Sequence, residues 1–490
     1  MISWTRYAAL FGTSGAGSNS VPLGSAFSDS ALGVASVPSL APTQTAIANL
    51  AAQPFQLNVG LLTTSADSRI ATVPFVAEYG LTNRLTVGFM VPLVETRTSV
   101  LSRLNPLGAT GANVGINPAR FGGAAAQQNA ALVNGFSQAN AALRSLATAC
   151  ANGSTDSRCG YLNANAAAAQ TLEQSSSTFA TGLQSLYGTA TGGGMYFVPL
   201  AGSAAQSAIA SRITAFAQQY QQFLGASNPL VGGAPAAAAG MAGNQQLQDS
   251  LIVANGRDTV GTATRTSIGD IEIAAAYQAL NSFSGDTNST HGGLAYRLTF
   301  NAVYRIATGE PPAANRLFDI GTGYGQPGVR LGAATDVRFN GRLSLTGVGA
   351  YTMQLGSVTT ARTANPGDAL LPLARPVPGS YSAGNELMLH VVPRARLIGF
   401  WNLEAQYQMR RVGADRYTGF APGSSSPGLS AATEQNVGFG FSYSTVSSNA
   451  RNSGRIPAEM TFSHLETIAA SGGPIPKSFR DQIALRVFLP

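Results

Sequence analysis

The sequence predicts a transmembrane β-barrel of about twelve antiparallel strands, with an α-helical, coiled-coil-like subdomain inserted after the first strands. Three observations carry that expectation. Apolar and polar residues alternate with a period of two along segment after segment. The segments are longer than the roughly 5–6 residues of an ordinary strand. Their connections alternate between tight turns and long loops rich in proline and glycine.

Composition narrows the choice first. Only 10% of the 490 residues are charged, against roughly 25% in soluble domains. No run approaches the ~18 consecutive apolar residues of a membrane helix. What is left is a secreted β-rich or low-complexity protein, or a barrel whose hydrophobicity is diluted by alternation. The net charge of +7 is scattered without a basic cluster, so no nucleic-acid partner is expected. The opening MISWTRYAALFGTSGAG has a short apolar patch after Arg6 and does not read as a cleavable signal peptide.

Residues 1–54 show no clear alternation and are expected to form an N-terminal segment, either a lumen plug or a linker. Residues 55–100 hold the first barrel strands, near 55–63, 70–81 and 84–97. Residues 267–490 hold the rest. There LAYRLTFNAVYR sets Leu294, Tyr296, Leu298, Phe300 and Tyr304 against Arg297, Thr299, Asn301 and Arg305. VRLGAATDVRF sets Val329, Leu331, Val337 and Phe339 against Arg330, Asp336 and Arg338. Leu343, Leu345 and Tyr351 oppose Arg342, Ser344 and Thr346, and Leu387, Leu389 and Leu397 oppose Glu386, His390, Arg394 and Arg396. Leu403, Ala405, Tyr407 and Met409 oppose Glu404, Gln406 and Arg410. Further strands are expected near 267–280, 433–446, 455–470 and 478–489. Aromatic residues near segment ends suit interfacial girdles, with the apolar faces towards outer-membrane lipid.

GLTNR (80–84), FNGR (339–342) and GFWN (399–402) read as tight turns, and 308–326, 358–384 and 417–432 as long loops. Counting strands from a periplasmic N-terminus puts the insertion, after the third strand, on the extracellular side.

The insertion, 101–266, changes period. Leu132, Phe136, Ala139, Leu143, Leu146 and Cys150 fall at alternating spacings of three and four. Ile209, Ile213, Phe216, Tyr220 and Phe223 do the same, and Leu172, Phe179, Leu183 and Leu186, spaced 7, 4 and 3 apart, fit a third, weaker copy. These are seams of helices packed side by side. Cys150 and Cys159 are close enough in sequence for a disulfide stapling a helical hairpin, as an oxidising compartment allows. The insertion reads either as a cap that binds a protein partner or as a solvated decoration.

Signals for chemistry are sparse. His291, His390 and His464 fall in separate regions without metal-ligand spacing, and no cofactor or catalytic fingerprint is present. GTGYGQPG (321–328) reads as a glycine-rich loop between strands. Ser463 and His464 are adjacent on a strand, point to opposite faces, and cannot act on one another. The lumen is more informative. Arg297, Arg305, Arg330, Arg338, Arg342, Arg394, Arg396, Arg410 and Arg486 are expected inward, against Asp270, Glu272, Asp336, Glu386 and Glu404. One reading is a salt-bridged network that stiffens a narrow barrel. The other is a net-basic constriction that favours anionic solutes.

VPFVAEYGLTNRLTVGFMVPLV (73–94) and FDIGTGYGQPGVRLGAATDVRFNGRLSLTGVGAYTMQLG (318–356) resemble the outer-membrane proteins associated with meta-pathway phenol degradation, which are akin to hydrophobic-compound channels. The resemblance covers the β portions and implies an outer-membrane location and uptake of aromatic compounds. It assigns no functional residues, and the helical insertion departs from it. An arginine-bearing lumen would be reconciled with such cargo by an aromatic carboxylate or phenolate. Three function classes follow: a passive channel for small solutes, a barrel-anchored surface protein with a helical binding module, and an outer-membrane hydrolase.

Overall fold

In this computed structural model, residues 1–11, 20–106, 111–246, 261–283, 294–313, 316, 319–363, 375–398, 400–418, 431–445, 457–472 and 475–488 are described. Twelve antiparallel strands close into a barrel in which each strand pairs with its neighbours in the chain. They are β1 (Ile2–Phe11), β2 (Asn58–Gly80), β3 (Leu85–Leu104), β4 (Ala263–Ile268 and Ile271–Asn281, broken at Gly269–Asp270), β5 (Ala295–Ile306) and β6 (Gly328–Arg338). The ring continues with β7 (Leu343–Gln354), β8 (Glu386–Arg396), β9 (Trp401–Val412), β10 (Ala432–Ser444), β11 (Ala458–Ser471) and β12 (Pro476–Val487). Closure is made by β1, which pairs with β12 on one side and β2 on the other. A closed ring leaves no unpaired edge, the condition for a sheet to stand in a bilayer.

Two expectations are corrected here. Residues 2–11 are a wall strand, so the segment 1–54 is not wholly a plug or linker. The segments near 55–63 and 70–81 are one strand of 23 residues. The two differences offset each other in the count of twelve.

Direct cross-strand partners share a face, so the wall can be read around the ring. Tyr304 opposes Ile273, Ile273 opposes Phe89, and Phe89 opposes Ala77. Ala71, on the same face of β2, opposes Trp4; Trp4 opposes Asp481, Asp481 opposes His464, and His464 opposes Phe439. This is the outer face, and Phe75, Phe300, Leu331, Trp401 and Leu485 are among its exposed apolar side chains. The tight turns lie at one end of the barrel, where Leu81 N–H donates to Leu85 O and Phe339 N–H to Leu343 O. The helices and the connections 307–327, 355–385 and 413–431 leave from the other, whereas the connections 282–294 and 445–457 leave from the turn end.

β2 and β3 are longer than their neighbours for a reason. Segments 58–67 of β2 and 99–104 of β3, paired with each other from Leu62 to Asp67, run past the parts of these strands that pair with β1 and β4 and leave the wall as a ribbon. Val59, Leu62 and Leu104 on that ribbon are buried in the main hydrophobic core. Most of the rest of this core comes from α1 (Ala41–Ala51), α2 (Gly123–Ala151), α3 (Cys159–Ala164), α4 (Ala166–Tyr187) and α5 (Ala204–Leu224), joined by Phe27, Leu32, Val114, Phe197 and Leu230 from the connecting segments. Phe136, Phe179 and Phe216 meet at its centre with ring centroids 5.1–5.8 Å apart. Cys150 and Cys159 are bonded, with their Cα atoms 5.3 Å apart, joining α2 to α3. The cap therefore draws on more than 101–266: α1, within 1–54, packs on α4 and α5, and Ile47 and Leu50 are buried there. The ends of that range, 101–104 and 263–266, belong to strands.

Candidate functional site: the barrel lumen

Inward positions on the wall are polar, and they sort into two levels. At the turn end, Arg297, Arg338, Arg342, Arg394 and Arg396 line a cavity of about 280 Å³ together with Asp336 and Glu459. Arg297 pairs with Asp336 at 2.7 Å, and Arg394 with the buried Glu404 at 2.8 Å. The guanidinium of Arg338 lies 5.0 Å from the ring centroid of Phe283. Arg342 sits in the turn before β7, at the mouth, and not within a strand as the alternation suggested. Arginines outnumber carboxylates at this level.

At the opposite end the balance is different. Arg330 pairs with Glu272 at 2.9 Å, and Arg410 with Glu386 at 2.8 Å and Glu434 at 3.6 Å. Arg305 lies 3.8 Å from Asp270 and hydrogen-bonds Gln354. Arg265, inward on β4, bridges Glu310 at 3.3 Å and Asp319 at 3.2 Å. Carboxylates match the arginines here. The nine lumen arginines expected from the sequence are thus divided between a basic mouth and a neutralised network, with Arg486 opposite Glu459 near the mouth.

The connection from β5 to β6 folds into the lumen. Its anchor is Asp270, at the break in β4. One carboxylate oxygen accepts from Gly309 N–H at 2.9 Å and the other from Tyr324 N–H at 2.8 Å. Thr308 Oγ1 donates to Gly269 O at 2.7 Å and accepts from Ile271 N–H at 3.0 Å, replacing the ladder where the strand is interrupted. On the adjacent strand β3, Thr96 Oγ1 donates to Ile320 O at 3.0 Å. Gly323 is required by this approach, since a Cβ there would stand 2.6 Å from Asp270 Oδ1. Arg305 stacks 4.1 Å from the Tyr324 ring centroid.

Two cavities flank this internal loop and share Arg410, Glu434 and Pro476. One, of about 470 Å³, is lined by Tyr7, Leu23, Ile70, Ile320 and Arg480 as well. The other, of about 160 Å³, adds Tyr324, Tyr381 and Ile475. Aromatic rings, aliphatic side chains and guanidinium groups converge on one narrow space. Sequence reading missed Tyr7, Arg265 and Arg480. Tyr7 was obscured because β1 carries polar residues on both faces.

Of the three histidines, His390 is inward on β8, His464 Nδ1 lies 2.7 Å from Asp481 on the outer face, and His291 lies outside the described residues. Ser463 turns to Gln482, away from His464.

No protein-family model and no curated protein matches the chain. Among solved structures it is similar to an outer membrane channel from Pseudomonas putida F1, at 9% identity and a TM-score of 0.39, covering 99% of this chain and 94% of that one. A FadL homologue of Pseudomonas aeruginosa gives 9% identity and a TM-score of 0.27, with 99% and 88% covered. The CymD monoaromatic hydrocarbon channel gives 8% and 0.26, with 88% and 78% covered. Scores this low carry no argument, and the fold stands on its own closed ladder.

Proposed function

We propose that this protein is an outer-membrane channel for small solutes, with anionic aromatic compounds as its cargo class. The observation that carries the reading is the internal loop latched on Asp270, which narrows the lumen beside Tyr7, Tyr324, Arg410 and Arg480. A ring-bearing carboxylate or phenolate would stack on the tyrosines and meet the guanidinium of Arg480, since Arg410 is already paired with Glu386 and Glu434. The basic mouth at the turn end supports the same charge preference. The resemblance at residues 73–94 and 318–356 to proteins associated with phenol degradation points to the same cargo. On this reading the turns face the periplasm and the helical cap faces the outside of the cell.

The test is conductance of the purified full chain in planar bilayers. Asp270→Ala removes the acceptor for two loop amides, so the expected result is a conductance several-fold above wild type. A lumen that stays silent in both forms would favour the barrel-anchored surface protein, with the cap as its binding part.

A further inference from the structure

The outer wall has an unexpected feature on β1, β2 and β3. Arg6 is the direct cross-strand partner of Arg69, and Arg69 that of Arg97, so three arginines stand in one row on the outward face. All three are exposed. Like charges placed directly opposite on a sheet repel. Among the described residues none of the three has an ion-pair or hydrogen-bond partner for its side chain. Of the other outward charges nearby, Lys477 pairs with Glu466 at 3.1 Å and His464 with Asp481 at 2.7 Å, while Glu95 stands next to Arg97 on the same face of β3.

The row has a defined height on β2 and β3. Towards the turn end, the outward residues are Ala71, Val73, Phe75, Ala77 and Tyr79 on β2, and, after Glu95, Leu93, Val91 and Phe89 on β3. Towards the cap, they become Asp67 and Ser65 on β2, and Ser99 on β3. Arg69 and Arg97 therefore stand where the apolar belt ends, on the helical side. Arg6, Arg69 and Arg97 border one open groove of about 960 Å³ with Trp4, Phe479 and the carboxylates Glu95 and Asp481, three guanidinium groups against two acids. Guanidinium forks at the boundary of a lipid-facing belt match phosphate in geometry and charge, and one polyanionic group between them removes the repulsion within the row.

We propose that Arg6, Arg69 and Arg97 bind the phosphate groups of a lipid headgroup, namely a phosphorylated glycolipid of the leaflet on the cap side. Trp4 and Phe479 flank the headgroup, and Glu95 marks the lower limit of the polar zone. The assignment rests on the membrane placement proposed above but is independent of conduction.

The experiment is native mass spectrometry of the full chain in detergent, titrated with bis-phosphorylated lipid A and with the same lipid freed of phosphate. The expected result is retention of the phosphorylated lipid stronger by on the order of tenfold, lost in the Arg6→Gln, Arg69→Gln, Arg97→Gln triple variant. Arg69→Gln alone, at the centre of the row, weakens retention several-fold and covers a triple variant that fails to fold. Equal retention of both lipids overturns the proposal. So does complete displacement by inorganic phosphate, which would make this a free-anion site, or a wild-type dimer dissociated by Arg69→Gln, which would make it a contact with a second copy. Loss of conductance leaves these readouts unchanged, so failure of the channel reading is seen separately.

Discussion

The cap and the barrel are built with opposite polarity. In the cap, Phe136, Leu143, Ile209 and Ile213 are buried and the helices present alanine, glutamine and serine to solvent. In the barrel, Phe300, Leu331 and Trp401 face out while Arg330, Glu272 and Glu404 face in. The cap is held by hydrophobic burial from water. The barrel is held by a closed ladder of backbone hydrogen bonds, with lipid as the solvent of its apolar side. Substitutions that damage one region should therefore be tolerated in the other.

The largest effect is expected at the cap's centre. Phe136→Ala leaves a void between Phe179 and Phe216 and should cost about 3–5 kcal/mol of cap stability. The barrel's heat-modifiable migration should persist, and loss of both together would contradict the separation. Next come the wall positions. Phe300→Arg or Leu345→Arg should cost roughly 2–4 kcal/mol near the bilayer midplane, whereas Thr299→Arg faces the lumen and should be better tolerated. Folding yields into vesicles measure the difference, and equal damage would mean that the two faces are not distinct.

A smaller effect tests a polar contact inside the cap. The Tyr220 hydroxyl lies 2.6 Å from both Asn140 Oδ1 and Ser176 Oγ, and burial raises its pKa. Tyr220→Phe strands those partners and should lower cap stability by about 1–3 kcal/mol, read from the helical signal during urea unfolding. The smallest effect is at the partly exposed Asp156. Side-chain and backbone hydrogen bonds from Arg158 hold its carboxyl below the usual carboxylate range. A depressed carboxyl contributes stability above its unfolded value, and that contribution is lost as pH falls through the folded one. Asp156→Asn should therefore lower the cap's midpoint slightly at neutral pH and not in strong acid. An equal shift at both would contradict the pairing.

The same contrast explains what the sequence shows. The helical seams and the wall from β5 to β10 are legible because each element separates its two faces cleanly, as Leu403, Ala405, Tyr407 and Met409 do from Glu404, Gln406 and Arg410. β1 is not legible, because Arg6 stands outward between Trp4 and the upper wall while Ser3 and Thr5 face in. In β2 the stretch TSADSR, where the strand passes from ribbon to wall, has no apolar face and reads as a break. The loop latch is harder still. Asp270 meets the amides of Gly309 and Tyr324, 39 and 54 residues away, and backbone donors leave no mark on periodicity. Nor can alternation assign the inward arginines to two heights, since height depends on strand register around the ring.

The central claim is that excess positive charge at the turn-end mouth gives the lumen its charge preference. The most direct measurement is the reversal potential of the purified protein in a planar bilayer under a salt gradient. Wild type should be anion-selective. Arg297→Ala with Arg394→Ala, which leaves Asp336 and Glu404 without their ion-pair partners, should move the potential towards cation selectivity. A wild-type channel that prefers cations, or a potential that this double substitution does not move, would contradict the claim.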